Sequence, residues 1–375
     1  MIAVKKFSSP VHISINTTAK CNLNCTHCSG DYGTRSKNEL DRAGWIKIIE
    51  YLKYANVYTV NLTGGEPTQS PFLFDILEKL REYNIYVTLS SNLCFDDRTA
   101  QKLLGYNDII RNLKTSIDGF DARSNGCIRK SKVINEAAIF DLITKNFEQF
   151  RARGMNMTIA TVLHKALLKD LSQMIQFIEE IKPNNWVVSP LVSVGRAQKN
   201  AHLIMPDFCT LMEPNYEKIK ERLASLGISF SQVDFPSIGN SDPYGCPACN
   251  ESVIINYDGR IAPCQLALEI MPKYGYDFPY IQENDYADIW HCESFARFRE
   301  LQSCGCEDCG IHEKCKRCIP QSLRYFNDEY APTPYCVSVA DQIDLKNKNI
   351  WQKKLQQIEF GGEYGDNASF KKNKI

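Results

Sequence analysis

Apolar and polar residues alternate through VHISIN at 11–16, with Val11, Ile13 and Ile15 on one face, which predicts a β-strand. A helix is expected over Arg42–Tyr54, followed by a strand at 58–62 (YTVNL). Ser70-Pro71 then puts proline at a tolerated helix start, and Phe72, Ile76, Leu77 and Leu80 supply an apolar stripe through Glu82. IYVTLSS at 85–91 and LKTSI at 113–117 predict the third and fourth strands. A long helix covers 134–153 and ends before Gly154. MNMTIATVL at 155–163 and WVVSP at 186–190 are the fifth and sixth strands, with a helix between them near 170–182.

Strands alternating with helices imply parallel pairing and right-handed crossovers. Periodicity alone does not separate a partial barrel from an open doubly wound sheet. After Pro190 the rhythm changes: residues 191–212 form an irregular segment containing VGRA, and a helix over 214–226 stops at Gly227. From Tyr244 cysteines dominate, and Asp258-Gly259 marks a turn inside a short hairpin, SVIINYDGRIAPC. A last helix is expected at 341–358, and the tail GGEYGDNASFKKNKI is expected to fray. The resulting division is 1–212, a bridging helix and linker at 213–243, a cysteine-rich domain at 244–340, and a C-terminal helix and tail at 341–375.

Lys plus Arg equals Asp plus Glu at 44 each, so no net field favours nucleic acid or an anionic membrane, although KKNK at 371–374 is a local basic patch. MIAVKKFSSP is too short and polar for a signal peptide, and no run reaches the roughly 18 apolar residues of a membrane span. Sixteen cysteines in 375 residues is a high count. Without an export signal it points to cluster ligation in a reducing cytoplasm rather than to a disulfide scaffold. Structural zinc is the alternative for part of the distal field, because paired C-x2-C units also suit tetrahedral zinc.

Cys21, Cys25 and Cys28 form C-x3-C-x2-C directly after the first strand. A [4Fe–4S] cube needs four ligands, so three thiolates leave one iron open to something that is not protein. TGGEP follows the second strand, and a dense cysteine field occupies 246–336. Together these motifs resemble the radical S-adenosylmethionine (SAM) enzymes of the SPASM subfamily, particularly the peptide-modifying maturases. The resemblance implies an α/β fold, a partial (β/α)6 TIM-like barrel followed by a small cysteine-rich SPASM domain. It also implies reductive cleavage of SAM to a 5′-deoxyadenosyl radical, with Cys21, Cys25 and Cys28 holding the cluster responsible.

Further residues follow from the same likeness. His27 is expected to pack beside SAM or the cluster rather than ligate iron. Gly64 and Gly65 permit close backbone approach to a ligand. Glu66 is expected to accept from the SAM ammonium group, and Pro67 to stiffen the exit. Ser116 and Asp118 of an SxDG element are spaced to face one side of a strand near the ribose. Ser90 and Asn92 occupy the equivalent rim of the third strand. Arg129 lies where related enzymes place an arginine near the methionyl carboxylate. Arg196 serves the same acidic group or pairs with a core acid.

Distally, C-x2-C-x9-G-x4-C runs from Cys246 through Cys249 and Gly259 to Cys264. C-x2-C-x5-C-x2-C follows through Cys306, Cys309, Cys315 and Cys318, with a last cysteine at Cys336. The likeness to the SPASM signature implies one auxiliary [4Fe–4S] cluster on Cys246, Cys249, Cys264 and Cys318. A second falls on Cys306, Cys309, Cys315 and Cys336, with Cys304 an alternative to Cys306. The Cys315–Cys318 spacer is two residues where the signature has three. Cys94, Cys127, Cys209 and Cys292 remain. No Ser–His–acid set emerges from six scattered histidines, nor a GxGxxG fingerprint or P-loop.

The reading implied for function is oxidative maturation of a ribosomally made peptide by an intramolecular thioether, ether or carbon–carbon crosslink. It requires SAM, a precursor peptide and a low-potential flavodoxin or ferredoxin. The residues before Val11 are too few for a leader-recognition domain, which points to a separate recognition protein or direct docking. Tyr274, Tyr276, Tyr280 and Tyr286 are either a groove wall or ordinary aromatic packing. The alternatives are a peptide epimerase, with Cys127 as hydrogen donor, and a SPASM dehydrogenase or formylglycine-type maturase. A non-enzymatic iron–sulfur protein needs no SAM site, so GGEP and the three-cysteine cluster argue against it.

Overall fold

The computed structural model describes residues 9–233, 246–284, 286–303, 309, 317–341 and 343–360. Cys304, Cys306, Cys315 and the tail from Gly361 lie outside the described residues. Nine strands are described: β1 (His12–Asn16), β2 (Thr59–Thr63), β3 (Tyr86–Ser90), β4 (Ile110–Ser116), β5 (Met157–Leu163), β6 (Asn185–Pro190), β7 (Ser229–Gln232), β8 (Ser252–Ile255) and β9 (Ile261–Ala262). They form one sheet in the order β7-β6-β5-β4-β3-β2-β1-β8-β9. Every pairing is parallel except β8–β9.

Period-two alternation gives the barrel strands two unlike faces. Ile13, Ile15, Val60, Leu62, Val87, Leu89 and Leu113 are buried in the hydrophobic core. The alternate positions, Ser14, Asn61, Ser90, Lys114 and Ser116, line a polar cavity on the other side of the sheet. The core side is covered by amphipathic helices Arg42–Tyr54, Leu73–Glu82, Asp97–Leu104, Glu136–Ala152 and Leu171–Ile181. Trp45, Ile48, Ile76, Leu80, Ile143 and Phe147 supply their buried contacts. Side-chain caps begin several of them: Asp41 accepts from the Gly44 amide, Asp96 from Thr99 and Asn135 from Ala138.

Several expectations shift. Val11 precedes β1 and is 47% exposed, because its amide bonds the Glu251 carbonyl outside the strand. The second helix starts at Leu73, after Pro71 rather than at it. Strand β4 begins at Ile110 instead of 113. The six expected strands are present, and the sheet continues past them at both ends. After helix Tyr216–Ala224, β7 pairs with β6, so the segment assigned to a linker contributes a seventh parallel strand. Its SFSQ sequence buries only Phe230 fully, too little for a periodic signal.

At the other end, β8 of the expected hairpin pairs in parallel with β1, joining the cysteine-rich region to the barrel. Asn16, 1% exposed at the end of β1, reinforces that seam. Its Nδ2 donates to Asn256 Oδ1 (3.1 Å) and to Gln265 Oε1 (2.9 Å). Replacing Asn16 by Ala leaves the buried Asn256 Oδ1 without its donor, so Asn16→Ala should lower unfolding free energy by about 1–3 kcal/mol. Chemical denaturation of the anaerobically purified protein measures this, and an unchanged midpoint and slope would refute the role of the seam.

Candidate active site

The loop after β1 carries Cys21, Cys25 and Cys28 and is tied down along its length. Cys21 N–H donates to the Gly33 carbonyl (2.9 Å), Asn24 N–H to Lys130 (2.6 Å) and Thr26 N–H to Ile128 (2.8 Å). Arg196 secures the far side. Its backbone N–H bonds the Cys28 carbonyl (2.9 Å), and its guanidinium bonds the Cys25 carbonyl (2.9 Å), the Tyr32 carbonyl (2.6 Å) and Asp31 Oδ1 (2.8 Å). Of the two readings of Arg196, the geometry matches pairing with an acid, although Asp31 is half-exposed rather than in the core. Gly195 makes the approach possible: its φ is +61°, and a Cβ there would collide with the Ser29 carbonyl oxygen.

A cavity of about 510 Å³ is lined by the three cysteines with Gly64 and Gly65 beyond β2, Ser90 and Asn92 around the end of β3, and Ser116 of β4. Arg129 and His27 line it too, with Leu191, Val192 and Arg196 beyond β6. Gly64 has φ +125°, and a Cβ would stand 2.7 Å from the Thr18 carbonyl oxygen, so the GGEP backbone packs directly on the cysteine loop. Asn92 Nδ2 donates to Asn22 Oδ1 (2.9 Å) and lies 3.9 Å from Cys21 Sγ. Ser90 Oγ donates to Asn61 Oδ1 (2.8 Å).

Glu66 is placed differently from expectation. Its side chain is 0% exposed and does not line the cavity. Oε1 accepts from Thr68 N–H (3.1 Å), Thr68 Oγ1 (2.8 Å) and Ser91 Oγ (2.8 Å), while Oε2 accepts from Asn92 N–H (2.7 Å). Three donors converge on Oε1 and one on Oε2, all of them from the protein. Glu66 therefore joins the ends of β2 and β3, and of the motif Gly64 and Gly65 line the cavity. Pro67 is buried and opens the short 3-10 turn Pro67–Gln69.

Ser116 and Asp118 also part company, because β4 ends at Ser116 and the strand alternation stops there. Ser116 lines the cavity; Asp118 is 0% exposed behind it. Asp118 Oδ1 accepts from Val162 N–H (2.7 Å), and Oδ2 lies 2.6 Å from Arg129 Nε and 3.6 Å from His27 Nε2. Burial opposes charge on Asp118 and Arg129, but their mutual attraction prevails, holding the acid below and the base above their ordinary ranges. Asp118 thus faces protein and fixes Arg129 at the cavity wall. Burial lowers His27 to about 4, leaving a neutral ring.

Burial raises the Cys21 thiol to about 12, with nearby Glu66 adding to the effect. Burial also raises Cys25 and Cys28, against the pull of Arg129 on the first and Arg196 on the second. Metal uptake at this wall must therefore displace protons. Among the described residues, no group of three His, Cys, Asp or Glu closes to the spacing of a single metal ion. A cube places each thiolate on a different iron, so three thiols around one cavity fit that group better than a mononuclear site.

Distally, Cys249 is 0% exposed and holds φ +59°, a conformation uncommon for a residue with a side chain. The Cys246 and Cys264 thiols act electrostatically on it. Cys264 starts helix Gln265–Ile270 and accepts from the Ala267 amide (3.4 Å). Cys318 starts helix Ile319–Phe326, which packs on that helix. Cys309 Sγ lies 3.5 Å from the Ile343 carbonyl oxygen, and Cys336 Sγ accepts from Thr333 Oγ1 (3.2 Å). Cys306 and Cys315 lie outside the described residues.

Two expectations move away from the site. Cys127 is exposed at the end of helix Ala122–Gly126, bonded back to the Arg123 carbonyl (3.5 Å), and does not line the cavity. Tyr274 and Tyr276 line a separate cavity with Leu323 and Glu329, where their hydroxyls bond the Leu323 carbonyl (2.8 Å) and Glu329 Oε2 (2.5 Å). Tyr280 contributes a backbone bridge to Arg260. Conversely, Lys114 and Gln265 line the cavity without having been anticipated. Lys114 stands two positions before Ser116 on β4, so the same alternation would have found it; no local pattern singles out Gln265.

The Glu66 hub gives a discriminating test. In Glu66→Gln one donor meets an amide NH2, which should cost about 1–3 kcal/mol of stability without any ligand. Unfolding measured without SAM checks this. Unchanged stability with weakened SAM binding would instead make Glu66 a direct ligand group.

The Radical SAM superfamily profile matches residues 15–178, and that of SPASM, an iron–sulfur cluster-binding domain, matches 246–319. The PqqA peptide cyclase of Gluconobacter oxydans (strain 621H) is 26% identical over 290 residues, covering 76% of this chain and 77% of its own. That of Methylorubrum populi (strain ATCC BAA-705 / NCIMB 13946 / BJ001) is 25% identical over 341 residues, covering 88% and 85%. Streptococcus suis SuiB bound to S-adenosylmethionine superimposes with TM-score 0.71 at 20% identity, covering 89% of this chain and 78% of SuiB. The chain thus carries a radical SAM domain followed by a SPASM iron–sulfur cluster-binding domain.

Proposed function

We propose that this enzyme matures a ribosomally made peptide, abstracting a substrate hydrogen and oxidatively closing an intramolecular thioether, ether or carbon–carbon crosslink. The observation that carries the reading is a shared chamber. The cavity at Cys21, Cys25 and Cys28 and the barrel lumen share Thr63, Ser90, Lys114, Ser116 and Gln265, and the lumen is also lined by Cys264. A site of hydrogen abstraction and a ligand of an electron-accepting cluster therefore open onto one polar space. The relatives support a peptide substrate: two are named peptide cyclases, and SuiB has been solved bound to its precursor peptide SuiA.

Cluster and SAM together supply the hydrogen-abstracting 5′-deoxyadenosyl radical; the chain supplies position and electrostatics. Arg129, held by Asp118, is suited to the SAM carboxylate. The exposed backbone of Gly64 and Gly65 suits its amino group, and Ser116, Ser90 and Asn92 present polar atoms along the same rim. Leu191 and Val192 give the cavity an apolar wall that excludes water. The partners in this reading are a precursor peptide, held through a separate leader-recognition protein or by direct docking, and a low-potential flavodoxin or ferredoxin. Among the described residues, no helix is long and apolar enough to cross a membrane. Cys127 is exposed and does not line the cavity, which favours crosslinking over epimerisation with Cys127 as hydrogen donor.

The cofactor set proposed is three [4Fe–4S] clusters: one on Cys21, Cys25 and Cys28, and two auxiliary. The auxiliary pair uses Cys246, Cys249, Cys264 and Cys318, then Cys306, Cys309, Cys315 and Cys336. Anaerobic reconstitution should approach about twelve iron and twelve sulfide per chain. Saturation near four iron, with zinc making up the rest, overturns the auxiliary assignment.

Oxidative crosslinking predicts that the precursor peptide loses two hydrogens and takes up no deuterium at an α-carbon in heavy water. Tandem mass spectrometry of the peptide encoded beside the gene tests this. An α-deuterated peptide of otherwise unchanged composition would replace crosslinking by epimerisation.

A further inference from the structure

Arg299 lies on helix Glu293–Ser303, against the turn that carries Cys249. Its Nε donates to the Cys249 carbonyl (2.7 Å) and its Nη2 to the Trp290 carbonyl (2.7 Å). The guanidinium also stands 4.5 Å from the centroid of the Trp290 ring, which is 1% exposed. Two hydrogen bonds and a ring face fix the cation in place. Burial disfavours its charge, and among the described residues the ionisable groups that act in its favour are the thiols of Cys249 and Cys292. A half-buried arginine remains charged and is costly without an opposing charge nearby. Cys249 meanwhile holds a positive φ that keeps its buried thiol at this position.

A cube held by four thiolates is an anion, and reduction adds one more negative charge. A fixed cation beside one ligand favours the reduced form. We propose that Arg299 tunes the auxiliary cluster ligated by Cys249, making it the better electron acceptor, and positions that ligand through its carbonyl. The inference rests on the proposed ligation by Cys249. The step concerned is a one-electron couple: the oxidised cube takes one electron, and no bond forms or breaks. Arg297, two residues away, pairs instead with Glu329 and Tyr276 and provides an internal control.

The test uses the full chain carrying Cys21→Ala, Cys25→Ala and Cys28→Ala, reconstituted so that only auxiliary clusters remain. Electrode-poised titration with dithionite as reductant, followed by electron paramagnetic resonance, resolves their couples. Arg299→Met should retain iron and shift one couple to lower potential, with a tenfold or larger loss in its reduction equilibrium, about 59 mV per tenfold. Arg299→Lys should recover most of that shift, and Arg297→Gln should cause none. Unmoved couples in iron-replete Arg299→Met overturn the proposal, as does Arg299→Lys behaving like Arg299→Met. Loss of iron from Arg299→Met together with unmoved couples in Arg299→Gln also overturns it. Retention of all iron by Cys249→Ala would instead refute the ligand assignment, and this inference with it.

Discussion

Strand β1 is hydrogen-bonded in parallel on both sides, to β2 and to β8, and the arrangement of the cysteines depends on that double pairing. On one side it sets the register of the loop that carries Cys21, Cys25 and Cys28 against the GGEP turn. On the other it draws in a strand from far along the chain, bringing the distal cysteines to the same sheet. Asn16 makes the junction polar as well as mechanical, because its amide bonds Asn256 in the turn between β8 and β9 and Gln265 just beyond β9. A cluster-binding region attached by a flexible linker would have no fixed relation to the barrel; one that shares its sheet does.

Electrostatics around the cavity follow one rule: the buried carboxylates are committed to protein, and backbone, neutral polar groups and the cations Lys114 and Arg129 line the cavity. Glu66 spends its acceptor capacity on Thr68, Ser91 and Asn92. Asp118 is neutralised by Arg129, and Arg196 is engaged by Asp31 and by carbonyls of the cysteine loop. An uncommitted carboxylate buried at such a depth would be costly. The commitments also make the cavity wall rigid, which helps a reactive radical to be presented with its substrate in place.

The two faces of the strands divide the labour of the fold. Isoleucine, leucine and valine on one face hold the helices, while serine, asparagine and lysine on the other keep the interior open and polar. An interior filled with large apolar side chains would have been more stable and would have left no room for SAM or a peptide. The polar lumen is also what connects Cys264 to the cavity of the cysteine triad.

Fold class and family were legible in the sequence, because strand periodicity and cysteine motifs are written locally. Period-two strands, capped helices and a C-x3-C-x2-C loop need no distant information. The parallel β1–β8 pairing was not legible, since hydrogen bonds between remote backbones leave no mark on either segment; β7 was too short and polar to signal. Side-chain direction beyond a strand end was equally hidden. Asp118 has the spacing of a cavity residue, but β4 stops at Ser116, and the carboxylate turns toward Arg129. Glu66 was identified as important from its motif, yet only tertiary contacts with Ser91 and Asn92 decided that it holds the loops together. Residue type and spacing determined which chemistry was possible here; the pairing of distant strands and the need to satisfy buried charges decided which atoms face the cavity.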